Sequence, residues 1–198
     1  MKNRIDFFCI FADKFFRCMD NNVIQINGRQ FRKYIPYDDL QEKVRAVARV
    51  INRDMEGLNP VFVCVLNGAF MFAADLLKEI TVDCEITFLR MKSYQGMQSA
   101  GMLKAIQPLE VDIKGRTVIV VEDIVDTGFT MDKIKAYLSG YSPAQIKTAT
   151  MFFKPDAMKI SLVLDYVAQT IENRFIVGYG LDYDEKGRNL KDLYILDE

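Results

Sequence analysis

The sequence predicts an α/β fold, a mainly parallel twisted sheet flanked by helices, on three observations. Residues 61–66 and 118–121 are continuous apolar runs, the pattern of strands buried on both faces, as strands of a parallel sheet are. Segments with helical periodicity lie between such runs, and this alternation implies right-handed crossovers. The breaks after the runs carry acids, Asn, Gly and Thr, and in such sheets ligands bind beyond the carboxyl ends of the strands.

In chain order, residues 22–36 hold two short β-like pieces, 23–26 and 31–35, around the turn dipeptide Asn27-Gly28. Asp38 then caps a helix with Gln41 at its third position, and Leu40, Val44, Val47, Ala48 and Ile51 form the buried stripe. Pro60 precedes the strand at 61–66, which breaks at Asn67-Gly68 into a helix reaching Leu77. A third strand, 86–91, leads into residues 92–104, rich in Ser, Gln and Gly. The run at 118–121 ends in Glu122-Asp123, and two apolar residues later comes Asp126-Thr127-Gly128-Phe129-Thr130. A helix follows with Met131, Ile134, Tyr137 and Leu138 on one face and Gly140 as its stop. Further β-like runs lie at 146–153, 166–167 and 175–179, with a final short strand at 194–196.

The 198 residues suit one domain with a full core, taken as 23–198, with 1–22 an unassigned N-terminal extension. A net charge of −1 gives no electrostatic footprint for nucleic acid. The absence of histidine removes Ser–His and Cys–His catalysis, histidine zinc sites and imidazole bases, so proton transfer falls to carboxylates, lysines, tyrosines or water. Cys9, Cys18, Cys64 and Cys84 are scattered and read as free thiols of a reducing compartment. No apolar run approaches the roughly 18 residues of a membrane span. At the N-terminus Asp6 and Asp13 bracket only six apolar residues, too few for a signal peptide, and Met19 is an alternative start. The expected location is the cytoplasm.

A strand, an acidic pair, a Thr/Gly turn and a helix N-terminus together make a phosphate cradle, because backbone N–H groups and the helix dipole converge on one anion. The carboxylates cannot sit on the phosphate. They must face groups that want acceptors: sugar hydroxyls, magnesium or the acidic N–H of a base.

Residues 117–130 resemble the phosphoribosyl-pyrophosphate (PRPP) signature of the type I phosphoribosyltransferases, and residues 30–196 resemble the hypoxanthine/guanine phosphoribosyltransferases. The resemblance implies the type I fold with a small hood from the chain ends. It also implies magnesium-dependent purine salvage, converting hypoxanthine or guanine plus PRPP into IMP or GMP plus pyrophosphate, in a homodimer or homotetramer. Asp126 would be the general base at the purine N7. The 5′-phosphate and ribose would be held by Glu122, Asp123, Asp126, Thr127, Gly128, Phe129 and Thr130. Phe129 departs from the small or basic residue common there.

The break after residue 66 resembles the family's pyrophosphate loop, in which a non-proline peptide is often cis. Asn67 stands where family members commonly carry lysine, and Gly68 follows it. Arg90, Lys92, Ser93 and Tyr94 resemble the basic residues and mobile lid near pyrophosphate, and Arg188 a pyrophosphate-contacting arginine. Lys154 would donate to the purine 6-oxo group, Phe175 would stack on the base, the backbone around Ile176 and Asp182 would read its edge, and Asp182 would also ligate a second magnesium. The metal set implied is Glu122, Asp123 and Asp182. Two alternatives stay open at this point: a PRPP-sensing regulator of the same fold that binds nucleic acid, and a xanthine-preferring enzyme.

Overall fold

The computed structural model describes residues 22–93, 103–105 and 109–197. Six strands form the central sheet: β3 (Val61–Leu66), β4 (Glu85–Ser93), β5 (Leu103–Ala105), β6 (Thr117–Val125), β7 (Gln145–Phe153) and β8 (Tyr166–Thr170). Their spatial order is β5-β4-β3-β6-β7-β8. Every pairing is parallel except that of β4 with β5. The most apolar strands, β3 and β6, are central, as expected for strands covered on both faces.

Three helices cover the sheet: α1 (Tyr37–Asp54), α2 (Phe70–Lys78) and α3 (Phe129–Ser139). One core packs the buried stripe of α1 and the Phe72, Ala73 and Leu76 face of α2 against Phe62, Cys64, Ile119 and Val121. The opposite face buries Val61, Val63, Val118 and Val120 under Met131, Ile134 and Leu138 of α3. Alternate residues of β3 and β6 thus serve the two cores. Cys64 is buried, Cys84 is partly so, and the other two cysteines lie outside the described residues.

A second, four-stranded antiparallel sheet joins β1 (Val23–Ile26), β2 (Arg29–Ile35), β9 (Ile176–Val177) and β10 (Leu193–Leu196) in the order β1-β2-β10-β9. Both ends of the described chain build it, which is the expected hood.

Three local expectations are corrected. Asp38 does not cap α1: the N-cap is Pro36 and no side chain of its own turn caps the helix. The Tyr37 N–H instead donates to Asp192 Oδ1 at 2.8 Å, and Gln41 turns away to Asp75 and Tyr179. β6 does not end at the acidic pair but runs through it to Val125. Gly140 does end α3, as its C-cap, but with helical angles, and the left-handed residue beyond it is Ser142. The strand expected over 175–179 shrinks to Ile176–Val177, because residues 178–180 all have positive φ and leave the ladder.

Candidate active site

The acidic pair comes from β6, whose register with β7 sets Glu122 opposite Thr150 and Val125 opposite Phe153. Beyond β6, Gly128 enters the left-handed region at φ 87° and becomes the N-cap of α3. No side chain caps that helix, so its first-turn N–H groups face the turn at 126–130 without a protein cap. Met158 and Ile160 close against Gly128, where a Cβ would come within 2.8 and 2.9 Å of their side-chain atoms.

The segment after β7 is bonded to the same turn. Lys154 N–H donates to the Val125 carbonyl at 3.0 Å, and Lys159 N–H donates to the Thr127 carbonyl at 3.1 Å. Lys154, only 7% exposed, reaches Asp126 with its Nζ 3.8 Å from Oδ2. The lysine and the aspartate assigned to the purine therefore share one corner. Phe175 borders the hood, 46% exposed, with ring centroids 6.2 Å from Phe31 and 5.6 Å from Tyr183. Arg29 lies over the Tyr183 ring. An exposed aromatic braced by one tilted and one edge-on neighbour presents a face for stacking. Ile176 pairs with Ile195 inside the hood.

Glu122 is 8% exposed, and its Oε2 is buried with no hydrogen-bond partner. Burial, then the neighbouring Asp123 charge, push its carboxyl well above the usual range. Burial likewise raises Asp123 to about 6, against the pull of backbone N–H bonds and Arg188, with Asp182 adding to the rise. Asp182 is anchored by Arg188 Nη2 at 2.7 Å and accepts from the Glu185 N–H at 2.8 Å. Arg188 also donates to the Gly180 carbonyl at 3.1 Å, leaving its buried Nε without a partner.

Gly68 follows a cis Leu66–Asn67 peptide and lies directly on Asp123: a Cβ there would overlap the carboxylate. The Gly68 carbonyl in turn meets Gly180 so closely that a Cβ on Gly180 would collide with it. Arg90 pairs with Leu66, one residue before that loop. Ser93 closes β4, while Tyr94 and most of the expected lid lie outside the described residues.

Gly68, Asp123, Asp182 and Arg188 are thus linked by contact and charge; Glu122 lies on the same strand as Asp123, β6, and Asp126, paired with Lys154, lies just beyond it. Among the described residues no group of three or more acids or cysteines forms a ready-made metal cage. The donors present still fit magnesium, which takes one or two carboxylates and completes its shell with water and substrate oxygens. The orphaned Glu122 Oε2 is an acceptor awaiting such a partner. A separate hollow of about 230 Å³ between α1 and β8, lined by Lys43, Val47, Val50, Asp165, Tyr166 and Ala168, contains none of these residues. Lacking converging acids or phosphate-binding turns, it does not compete as the reaction site.

Sequence reasoning missed three supports of this site: Asp192 at the start of α1, the Asp75–Tyr179–Gln41 cluster, and the Met158–Ile160 cover over Gly128. Their partners are distant in sequence, and no local motif announces them.

Comparison with known proteins agrees with the geometry. The family described as "Phosphoribosyl transferase domain" matches residues 36–184. The hypoxanthine-guanine phosphoribosyltransferase of Streptococcus thermophilus is 39% identical over 162 residues, 81% of this chain and 90% of its own. The hypoxanthine-guanine-xanthine phosphoribosyltransferase of Tritrichomonas foetus is 40% identical over 162 residues, 81% of this chain and 88% of its own. A crystal structure of a Bacillus anthracis hypoxanthine-guanine phosphoribosyltransferase superposes with TM-score 0.79 at 40% identity, covering 83% of this chain and 98% of that one.

Proposed function

This chain belongs to the phosphoribosyl transferase domain family and, within it, to the hypoxanthine-guanine phosphoribosyltransferases, and on that premise we propose how its residues share the reaction. A 6-oxopurine N9 attacks C1′ of PRPP, pyrophosphate leaves, and a nucleotide of hypoxanthine or guanine is released. The observation that carries the assignment is the shared corner in which Lys154 meets Asp126 at the end of the cradle strand.

The 126–130 turn and the α3 N-terminus hold the 5′-phosphate by backbone N–H groups, with the Thr127 and Thr130 hydroxyls beside them. Glu122 and Asp123 accept from the ribose hydroxyls, and Gly68, Asn67, Arg90 and Arg188 receive the departing pyrophosphate. Asp126 takes the N7 proton as N9 attacks. Lys154 donates to the 6-oxo group, a donor that accepts oxopurines and opposes the 6-amino group of adenine. Phe175 stacks on the base and the Ile176 backbone reads its edge. Magnesium, when bound, supplies positive charge to the pyrophosphate, and Glu122, Asp123 and Asp182 are the residues that would hold it. Ser93 and Tyr94 belong to the segment assigned to excluding water from the developing sugar cation.

We further propose one domain over residues 23–198, supported by the β2–β10 pairing that ties the chain ends together. Cytoplasmic residence is supported by the buried free thiol of Cys64, and no described helix is long and apolar enough to cross a membrane. Self-association into a dimer or tetramer is supported by Ile86 and Phe88, exposed on one face of β4, and by Phe70 at the start of α2. The test of function is nucleotide formation from PRPP and magnesium with hypoxanthine, guanine, xanthine and adenine in separate assays. Turnover with a 6-oxopurine and none with adenine is expected. PRPP binding without turnover on any base would overturn the enzyme reading.

A further inference from the structure

Tyr179 combines three properties that simple core packing does not require. Its backbone sits at φ 48°, between Gly178 at 101° and Gly180 at 99°, a left-handed stretch that bulky residues avoid unless the surroundings hold them there. Its side chain is fully buried, with ring centroids 6.3 Å from Tyr37 and 6.5 Å from Phe152. Its hydroxyl donates to Asp75 Oδ2 at 2.8 Å and accepts from Gln41 Nε2 at 3.1 Å. Gln41 Nε2 also donates to Asp75 at 2.7 Å, and Lys78 Nζ pairs with the other carboxylate oxygen at 3.0 Å. One hydroxyl therefore ties the 178–182 turn to both α1 and α2.

Each element it joins carries part of the pyrophosphate side of the site. Helix α2 starts directly after the Asn67-Gly68 loop, so Asp75 shares a rigid helix with the end of that loop. The residue after Tyr179 is Gly180, whose N–H donates to the Arg188 carbonyl at 3.0 Å and whose own carbonyl accepts from the Arg188 guanidinium at 3.1 Å. Gly180 also abuts the Gly68 carbonyl, and Gly68 abuts Asp123. A small tilt of the turn would move Arg188 and Asp182 relative to Gly68.

We propose that Tyr179 is a positioning residue of the transfer reaction: its hydroxyl, anchored on Asp75, sets the spacing between Arg188 and the Gly68 loop and thereby the grip on pyrophosphate. The inference rests on the assignment of Arg188 and Gly68 to pyrophosphate. Phe175, Ile176 and Lys154 are not held by this cluster, so the effect falls on PRPP and pyrophosphate and spares the purine.

The experiment is steady-state kinetics on Tyr179→Phe, which removes only the hydroxyl, beside Asp75→Ala, Asp75→Asn, the Tyr179→Phe/Asp75→Ala double variant and Arg188→Ala. In Tyr179→Phe and Asp75→Ala, KM for PRPP and the inhibition constant of pyrophosphate are expected to rise about tenfold, the scale of one hydrogen bond to a charged acceptor. KM for the purine stays within about twofold, the double variant is no worse than the worse single one, and Asp75→Asn, which keeps an acceptor, recovers most of the loss. A fall in melting temperature with unchanged KM for PRPP, or an equal rise in both KM values, overturns the tether. Arg188→Ala separates the two levels. If it alone weakens PRPP, the pyrophosphate assignment stands and the tether is wrong; if neither variant weakens PRPP, both fall.

Discussion

The turn after β6 and the turn at 178–188 both deliver carboxylates to the same site, yet they are held in opposite ways. The first is local: strand, acidic pair, turn and helix occupy consecutive residues, and the strand is clamped on both sides by parallel partners. The second follows a two-residue strand and is held from a distance. Tyr179 N–H bonds to the Leu190 carbonyl, its hydroxyl reaches Asp75 across 104 residues, and Asp192 reaches Tyr37 across 155. The proposed phosphate cradle, built into one strand–helix joint, should survive damage to the hood. The side proposed for pyrophosphate is only as firm as contacts between remote segments.

The largest test of that contrast is Asp126→Asn. It should leave PRPP binding in place, because the cradle is backbone, and lower turnover by about 10²–10⁴-fold, the usual cost of losing a general base. Single-turnover rates alongside PRPP titration measure both, and an unaltered rate would remove Asp126 from the role. Asp192→Ala should instead act on stability. It leaves the Lys33 ammonium, 2.9 Å from Asp192 in the intact protein, and the Tyr37 N–H without their buried acceptor, and should cost about 2–4 kcal/mol in urea unfolding. A change below about 0.5 kcal/mol would show that the remote contacts are slack.

Acidification gives a smaller and two-sided effect. The Glu122–Asp123 pair must be ionised to accept from ribose, and Asp123 titrates near 6. Activity at low PRPP should therefore fall by up to about tenfold per pH unit below that value. Stability moves the other way. Because burial raises the folded-state value above the ordinary 3.8, the folded protein holds this proton more tightly than the unfolded chain. From pH 6 toward 4 this group favours folding, so the melting temperature should drop less steeply than that of Asp123→Asn. A kcat/KM profile flat through pH 6 would contradict the pair's role. The smallest expected effect is that of Asn67→Lys: on the proposed backbone grip, and with Asn67 exposed, activity should stay within about twofold. Loss of activity would show that side-chain chemistry, not backbone, dominates there.

The legibility of the molecule follows the same division. The alternating core strands, the stripes of α1 and α3 and the cradle could be read directly, because their causes lie within a dozen neighbouring residues. Asp38 illustrates the failure. It has the right type and spacing for a cap, but Asp192 takes the Tyr37 N–H, and a competitor so far along the chain leaves no local trace. Residues 175–179 alternate like a strand, yet Gly178 and the following Gly180 permit the positive-φ turn that the contact between Gly180 and Gly68 requires. Tyr179 reads as core from its spacing, and only the fold reveals that its hydroxyl is spoken for.

The hood order β1-β2-β10-β9 puts the final strand between an early one and its own near neighbour. Every parallel strand of the central sheet, β3 to β8, precedes residues 193–196 in the chain. The cradle strand and its helix thus draw on none of the hood, whereas the 178–188 turn follows directly from a hood strand that pairs only with β10. Cutting the chain before β10 would therefore spare the sheet and unseat the turn that carries Asp182 and Arg188.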